Sequence, residues 1–152
     1  MTSERFSARM AVYLILIRDG RVLLLHRFNT GWSDGKYAMI GGHVDGDESV
    51  TDAMIREAKE EAGIELDKER MRVAHTMHRK SAHSGLEYID FFLIADAWKG
   101  EPKNMEPHKS DGLEWFPLDD LPADILPHVK LGIENSLKGI GFSEFGWNGD
   151  AY

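Results

Sequence analysis

Three glutamates, Glu57, Glu60 and Glu61, stand at helical spacing shortly after a glycine pair, Gly41-Gly42. With Val50 taken as zero and successive residues about 100° apart around a helix, Glu57 falls at about 340°, Glu60 at about 280° and Glu61 at about 20°. Val50, Met54, Ile55, Ala58 and Ala62 fill the arc from about 0° to about 140°. The carboxylates therefore border the buried stripe, and Glu61 lies inside it. Solvation does not favour that placement. Carboxylates about 6 Å apart repel by roughly 2 to 3 kcal/mol per pair at an effective dielectric near 20, a cost that a hard divalent cation among them reverses. Donors that are all oxygen select Mg²⁺, with Mn²⁺ as its substitute, over zinc. A glycine turn followed by a helix of this pattern predicts a metal site at Glu57, Glu60 and Glu61.

The flanking segments read as strands around that helix. Residues 11–17 and 22–26 are β-rich runs separated by an Asp19-Gly20 hairpin signal. Residues 29–36 form a Gly- and Asp-containing loop, and 37–40 a short strand leading into Gly41-Gly42. Asp47 is the expected N-cap of the glutamate helix, with Glu48 placed against its dipole, and Gly63 its expected stop. Residues 71–77 and 88–97 read as further strands. The second is an apolar run broken at Asp90 and Asp96 and is expected to be buried on both faces. Residues 100–110 read as a loop, 112–116 as the last strand, 128–138 as a weakly amphipathic helix, and 139–152 as an extended tail. The sum is an α/β architecture in which helices cover a mixed sheet, with residues 1–152 forming one domain.

Charge and composition exclude several functions. With 26 acidic and 18 basic residues the formal charge is −8, opposite to that of a protein that neutralises a nucleic-acid polymer. A small polyphosphate remains a compatible ligand if metal ions and a few local cations screen it. The chain has no cysteine, so it has neither a disulfide framework nor a thiolate nucleophile. The apolar run at residues 11–17 is too short to span a bilayer. A soluble cytoplasmic protein without a membrane partner is the expectation.

Residues 42–64 resemble the Nudix box: G, five residues, E, seven residues, R-E-apolar, one residue, E-E, one residue, G-apolar. Gly42, Glu48, Arg56, Glu57, Ala58, Glu60, Glu61, Gly63 and Ile64 meet every position. Ile40 stands where many members carry proline, so the turn lacks that constraint. The resemblance implies the Nudix fold, an αβα sandwich with a central mixed β-sheet, and an enzyme of the MutT type. It also implies metal binding by Glu57, Glu60, Glu61 and the backbone carbonyl of Gly42, and a box scaffold of Glu48, Arg56 and Gly63. Arg56 and Glu48 lie about 80° apart on the helical projection, close enough for an ion pair that orients the loop and tunes the neighbouring glutamate. The isopentenyl diphosphate isomerases, which share the fold, use a cysteine that this chain lacks. Pairing into a homodimer, common in the family, is left open.

The implied reaction is attack of water on a phosphorus of a diphosphate bridge. One glutamate must accept the water's proton; Glu57 is the first candidate and Glu106 the second. The segment 104–109 resembles the later loop of nucleotide-hydrolysing members, in which a glutamate outside the box reaches the metals. Specificity is less legible. A marker proline or tyrosine soon after the box, typical of subfamilies acting on ADP-ribose or dinucleoside polyphosphates, is missing from residues 71–84. Arg27 and Lys36 are candidate phosphate contacts, with His43 after the glycine pair. Phe28, Trp32 and Tyr37 are candidate base-stacking residues, and Trp115 and Phe116 read as packing residues. Zinc is not expected at His75, His78 and His83, because the first two would point to opposite faces of a strand; a solvated or substrate-edge role is expected for them. The leading expectation is Mg²⁺-dependent cleavage of a nucleoside triphosphate, ordinary or damaged, to the monophosphate and pyrophosphate. The alternative is hydrolysis of another diphosphate-linked compound such as ADP-ribose or a dinucleotide. A noncatalytic nucleotide sensor is the reading from another class, and the complete glutamate set argues against it.

Overall fold

Residues 3–149 are described by a computed structural model. Strand β1 (Arg9–Arg18) turns through Asp19 and Gly20, at φ 52° and 71°, and returns as β2 (Arg21–Arg27). There follow β3 (Tyr37–Ala38), β4 (Gly41–His43), α1 (Val50–Ala62), β5 (Glu65–Leu66), β6 (Met71–Lys80), β7 (Glu87–Ala95), β8 (Trp98–Lys99), β9 (Ser110–Pro117), α2 (Pro127–Leu137) and β10 (Phe142–Phe145). The main sheet has the order β10-β6-β7-β1-β2-β3, with β4 added beside β1 and β9 beside β2; β5 and β8 form a separate ribbon. β1 runs parallel to β7 and β10 parallel to β6, while the other ladders are antiparallel. The expected mixed sheet is therefore present.

Alternation along β1 assigns its two faces. Val12, Leu14 and Leu16 pack with Ala53, Met54, Ala58 and Ala62 of α1. Ile15 packs with Val22, Leu24, Met77 and Phe92, and with Val129 and Ile133 of α2. Each fully buried Leu, Ile or Met contributes about 1.5–3 kcal/mol, so the helices are held on opposite faces of the sheet by apolar burial. Among the described residues, no helix is long and apolar enough to cross a membrane.

β1 also changes partner along its length. Ala11, Val12 and Tyr13 pair with β4, whereas Ile17 and Arg18 pair with β2. Between these ladders the Ile40 carbonyl accepts from the Leu14 N–H at 2.8 Å, and the Ile40 side chain is buried in the α1-side core. Sheet pairing and burial thus hold the turn that lacks a proline.

Four expectations are corrected. The N-cap of α1 is Ser49, whose hydroxyl accepts from the Asp52 N–H at 3.1 Å. Asp47 has φ 63°, a left-handed conformation incompatible with the extended backbone of an N-cap, so Glu48 precedes the helix rather than opening it. The strand read at 112–116 extends over Ser110–Pro117 and is not the last. Part of the segment expected as a tail forms β10, because β6 offers it an open parallel edge; residues 150–152 lie outside the described part. His75 is fully buried, neither solvated nor at a substrate edge. Its Nδ1 is 2.6 Å from the Ile140 carbonyl and its Nε2 2.7 Å from Ser143 Oγ, so it fastens the C-terminal segment to β6.

Candidate active site

The glutamate helix starts after a turn clipped by one arginine. Arg56 donates to Glu48 through Nε (3.0 Å) and Nη2 (2.7 Å), to Glu57 Oε1 (2.9 Å), to Glu60 Oε2 (3.3 Å) and to the His43 carbonyl (3.1 Å). Glu48 in turn accepts from the Asp45 N–H at 2.7 Å. Hydrogen bonds from Arg56 hold the Glu48 carboxyl below its ordinary range. The expected Arg56–Glu48 pair is present, and the same guanidinium also offsets repulsion among the helix acids. At the far end Gly63, at φ 66°, caps α1 by donating to the Lys59 carbonyl at 3.1 Å.

Tertiary packing turns this helix further than the sequence projection does. The buried positions are Ala53, Met54, Ala58 and Ala62, so the covered arc begins at Ala53, at about 300°, and takes in both Glu57 and Glu61. Glu57 is only 13% exposed, whereas Glu60 at the margin is 52% exposed. Glu57 and Glu61 are hydrogen-bonding neighbours. Burial, and then the charge of Glu57, push the Glu61 carboxyl well above its ordinary value, while a hydrogen bond from the Gly41 backbone opposes this. Burial also raises Glu57, against the pull of Arg56. Gly42 lies so close that a Cβ there would stand 2.5 Å from Glu57 Cδ and 2.9 Å from Oε2. The absence of a side chain at Gly42 makes the room in which the carboxylate sits.

These groups line a cleft of about 390 Å³ together with Leu25, Arg27, Thr30, Asn104, Glu106, Lys109 and Ser110. Glu106 is 24% exposed and is paired with Lys109 at 3.3 Å; its charge also raises the Glu61 carboxyl. Among the described residues, no three acidic or histidine groups are already gathered around one point as a finished metal cage, and Arg56 bonds to both Glu57 and Glu60. The donor set still fits a hard cation. It is all oxygen, it contains two half-buried carboxyls raised by desolvation and, for Glu61, by the charge of Glu57, and it faces a cradle that only glycine leaves open.

A second cleft, of about 370 Å³, adjoins the first through Arg27, Gly41 and Gly42 and is walled by Tyr13, Trp32, His83, Tyr88 and His128. The His43 ring stacks on Tyr88 at 5.9 Å, and Trp32 faces His83 at 6.5 Å with the Arg27 guanidinium 4.8 Å from its own ring. The floor holds a buried ion pair, Arg79–Asp90, at 2.5 Å, with the Arg79 guanidinium over Tyr88 at 4.3 Å. Burial pushes His128 well below its ordinary value of 6.5, and the charges of Arg79 and Arg27 add to this. The folded protein therefore resists protonating His128, and the unfolded chain does not. Stability from this residue is complete above about pH 6.5 and is lost as pH falls through the lowered folded value. Melting temperatures from pH 8 to pH 5 are expected to fall more steeply for the wild type than for His128→Gln; parallel curves would remove the effect.

The family model described as the NUDIX domain matches residues 7–133. The chain belongs to the Nudix family. Nudix hydrolases act on pyrophosphate bonds and generally use divalent metal ions. The uncharacterized Nudix hydrolase YvcI of Bacillus subtilis is 31% identical over 108 residues, which are 70% of this chain and 65% of that protein's length. The oxidized purine nucleoside triphosphate hydrolase of Danio rerio is 28% identical over 123 residues, 77% of this chain and 71% of the relative. Among solved structures, the MutT NUDIX hydrolase from Burkholderia pseudomallei matches with a TM-score of 0.78 at 32% identity, over 85% of this chain and 98% of that one.

In this Nudix domain the residues singled out in the sequence do not all meet. Glu57, Glu60, Glu61, Gly42 and Glu106 share the acidic cleft, and Arg27 joins it to the aromatic one, which Trp32 and His43 line. Phe28 and Lys36 are exposed outside both clefts. Tyr37 is spent on packing against His26 and Phe116, with ring centroids 4.7 and 4.9 Å away. Trp115 packs beside Trp98, and Phe116 joins the α2-side core, as expected. Sequence reasoning passed over Asn104, Lys109, Tyr13, Arg79 and His128. Only Arg79 left a signal: Asp90, a carboxylate inside an apolar strand, calls for a buried cationic partner.

Proposed function

We propose that this Nudix domain is a Mg²⁺-dependent pyrophosphohydrolase that cleaves a nucleoside triphosphate to the monophosphate and pyrophosphate. The observation that carries the reading is the junction of an oxygen-lined acidic cleft with an aromatic cleft across Arg27 and Gly41-Gly42. A nucleoside triphosphate has that division, an aromatic base at one end and a metal-dependent polyphosphate at the other. The name of the Danio rerio relative, an oxidized purine nucleoside triphosphate hydrolase, supports a triphosphate and makes a damaged purine the first base to test.

Glu57, Glu60, Glu61 and the Gly42 carbonyl would hold the metal, with Glu106 of the same cleft as a further carboxylate for it. When bound, Mg²⁺ supplies positive charge to the polyphosphate and makes water easier to deprotonate. The residues do the rest. Glu57, held between Arg56 and the Gly42 cradle, accepts the proton of the attacking water. Arg27 and Lys109 meet phosphate oxygens. Trp32 and His83 flank the base, and the Arg79–Asp90 floor limits how deep it enters. Water's oxygen bonds to phosphorus, the bridging P–O bond breaks, and pyrophosphate departs.

A panel of ordinary and oxidised nucleoside triphosphates, ADP-ribose and dinucleotides, assayed with Mg²⁺, with Mn²⁺ and with EDTA, tests this. The expected result is pyrophosphate from one or more triphosphates and loss of turnover in EDTA. AMP plus a sugar phosphate from ADP-ribose, with triphosphates left intact, would replace the substrate. Nucleotide binding with no phosphate product across the panel would make the domain a sensor.

A further inference from the structure

We infer that Asn104 is the positioning residue for Glu106, an inference that rests on the metal-reaching role proposed for that glutamate. Glu106 is carried by a loop with no regular secondary structure, and a carboxylate on a slack loop cannot be presented to a charged site without an entropic cost. Two sets of contacts remove the slack. At its start the loop is sewn to the end of α1: the Lys103 N–H donates to the Ala62 carbonyl and the Met105 N–H to the Glu61 carbonyl, each at 3.1 Å. Those carbonyls are among the last of the helix, which have no partner further along it.

Across the loop, the Asn104 side chain uses both ends of its amide. Its Nδ2 donates to the Ser110 carbonyl at 2.7 Å, and its Oδ1 accepts from the Glu106 N–H at 3.1 Å. One side chain thus closes residues 104–110 into a ring and grips the backbone of the residue that carries the carboxylate. The Lys109 and Ser110 N–H groups both reach the Glu106 carbonyl, at 2.9 and 3.1 Å, and Pro107 restricts Glu106 on its other side. Asn104 and Glu106 both line the cleft that holds Glu57, Glu60 and Glu61, so the clamp and the group it aims face the same acidic site. No shorter or purely accepting side chain makes both bonds.

The test is a double-mutant cycle on the full chain with the triphosphate the panel selects. Asn104→Ala is expected to lower kcat by about 10- to 100-fold, to change KM less than about threefold and to raise the Mg²⁺ concentration needed for half-maximal rate. In a Glu106→Gln background the same substitution is expected to cost nothing further, because the group it aims is already disabled. A clamp that merely stiffens the fold would multiply the two losses instead, and that additivity overturns the inference. Wild-type kcat in Asn104→Ala overturns it as well. Asn104→Asp keeps the acceptor and the size while losing the donor; it serves if the alanine variant does not fold, and the same absence of a further loss is expected. Should Glu106→Gln keep wild-type kcat while Glu57→Gln abolishes turnover, Glu106 has no part in the reaction; the inference falls and the pyrophosphohydrolase reading stands. If no substrate of the panel is turned over, that reading falls first, and the inference with it.

Discussion

Glu61→Gln is expected to reduce kcat by about 10²- to 10⁴-fold and yet, in the absence of divalent ions, to make the protein more stable. Both effects have one origin. Glu61 sits within the covered arc of α1, beside Glu57 and within reach of the charge of Glu106, and burial together with those neighbours raises its carboxyl well above the ordinary value of 4.5. The folded state therefore binds the Glu61 proton more tightly than the unfolded state. The penalty for charging it is absent below the unfolded value, grows as pH rises through the raised one, and is complete above that. Glutamine removes the charge at nearly constant volume.

Melting curves in EDTA are expected to show wild type and Glu61→Gln close together at pH 4 and separated in favour of the variant at pH 8. With saturating Mg²⁺ the order in activity is the reverse. Glu57→Gln is expected to be at least as damaging to turnover, since its carboxylate lies between Arg56 and Gly42, and Glu60→Gln is expected to lose most of it. Near-normal kcat for Glu61→Gln at saturating Mg²⁺ would remove that residue from the site.

Gly42→Ala should cost about 10²-fold or more in kcat while changing stability by less than about 1 kcal/mol. The added Cβ would overlap the Glu57 carboxyl, which is the far end of a flexible side chain. The cheapest relief is for that carboxyl to swing away, which spares the fold and moves the group proposed to take the proton. The neighbouring glycine behaves differently. A Cβ at Gly41 would stand 3.1 Å from the Val12 carbonyl carbon and closer still to its oxygen. Both are backbone atoms of the β1–β4 ladder, so Gly41→Ala is expected to destabilise the protein by about 1–3 kcal/mol. Chemical denaturation alongside kinetics separates the two outcomes. If Gly42→Ala kept full turnover, the closeness of Gly42 and Glu57 would have no part in the chemistry.

The difference between these adjacent glycines marks what each level of description contains. Local rules made the β1–β2 hairpin, the glutamate helix and its glycine stop legible, because Asp19-Gly20 sets its own turn and apolar spacing over thirteen residues sets one helical face. The same rules failed at Asp47, where a turn with positive φ displaced the cap to Ser49. They also failed at β10, whose four residues become a strand only because β6 presents a free edge.

For the site, the sequence by itself determined which residues carry charge at helical spacing: Glu57, Glu60 and Glu61, with Glu48 and Arg56 as their brace. It did so because an α-helix converts spacing directly into direction. Tertiary structure alone decided that Glu57 turns inward beside Glu61 while Glu60 faces water, that Asn104 and Lys109 join them in one cleft, and that Arg79 and His128 line the aromatic cleft next to it. These positions are brought together by packing across the two faces of one sheet, and contacts between segments so far apart along the chain leave no periodic trace in it.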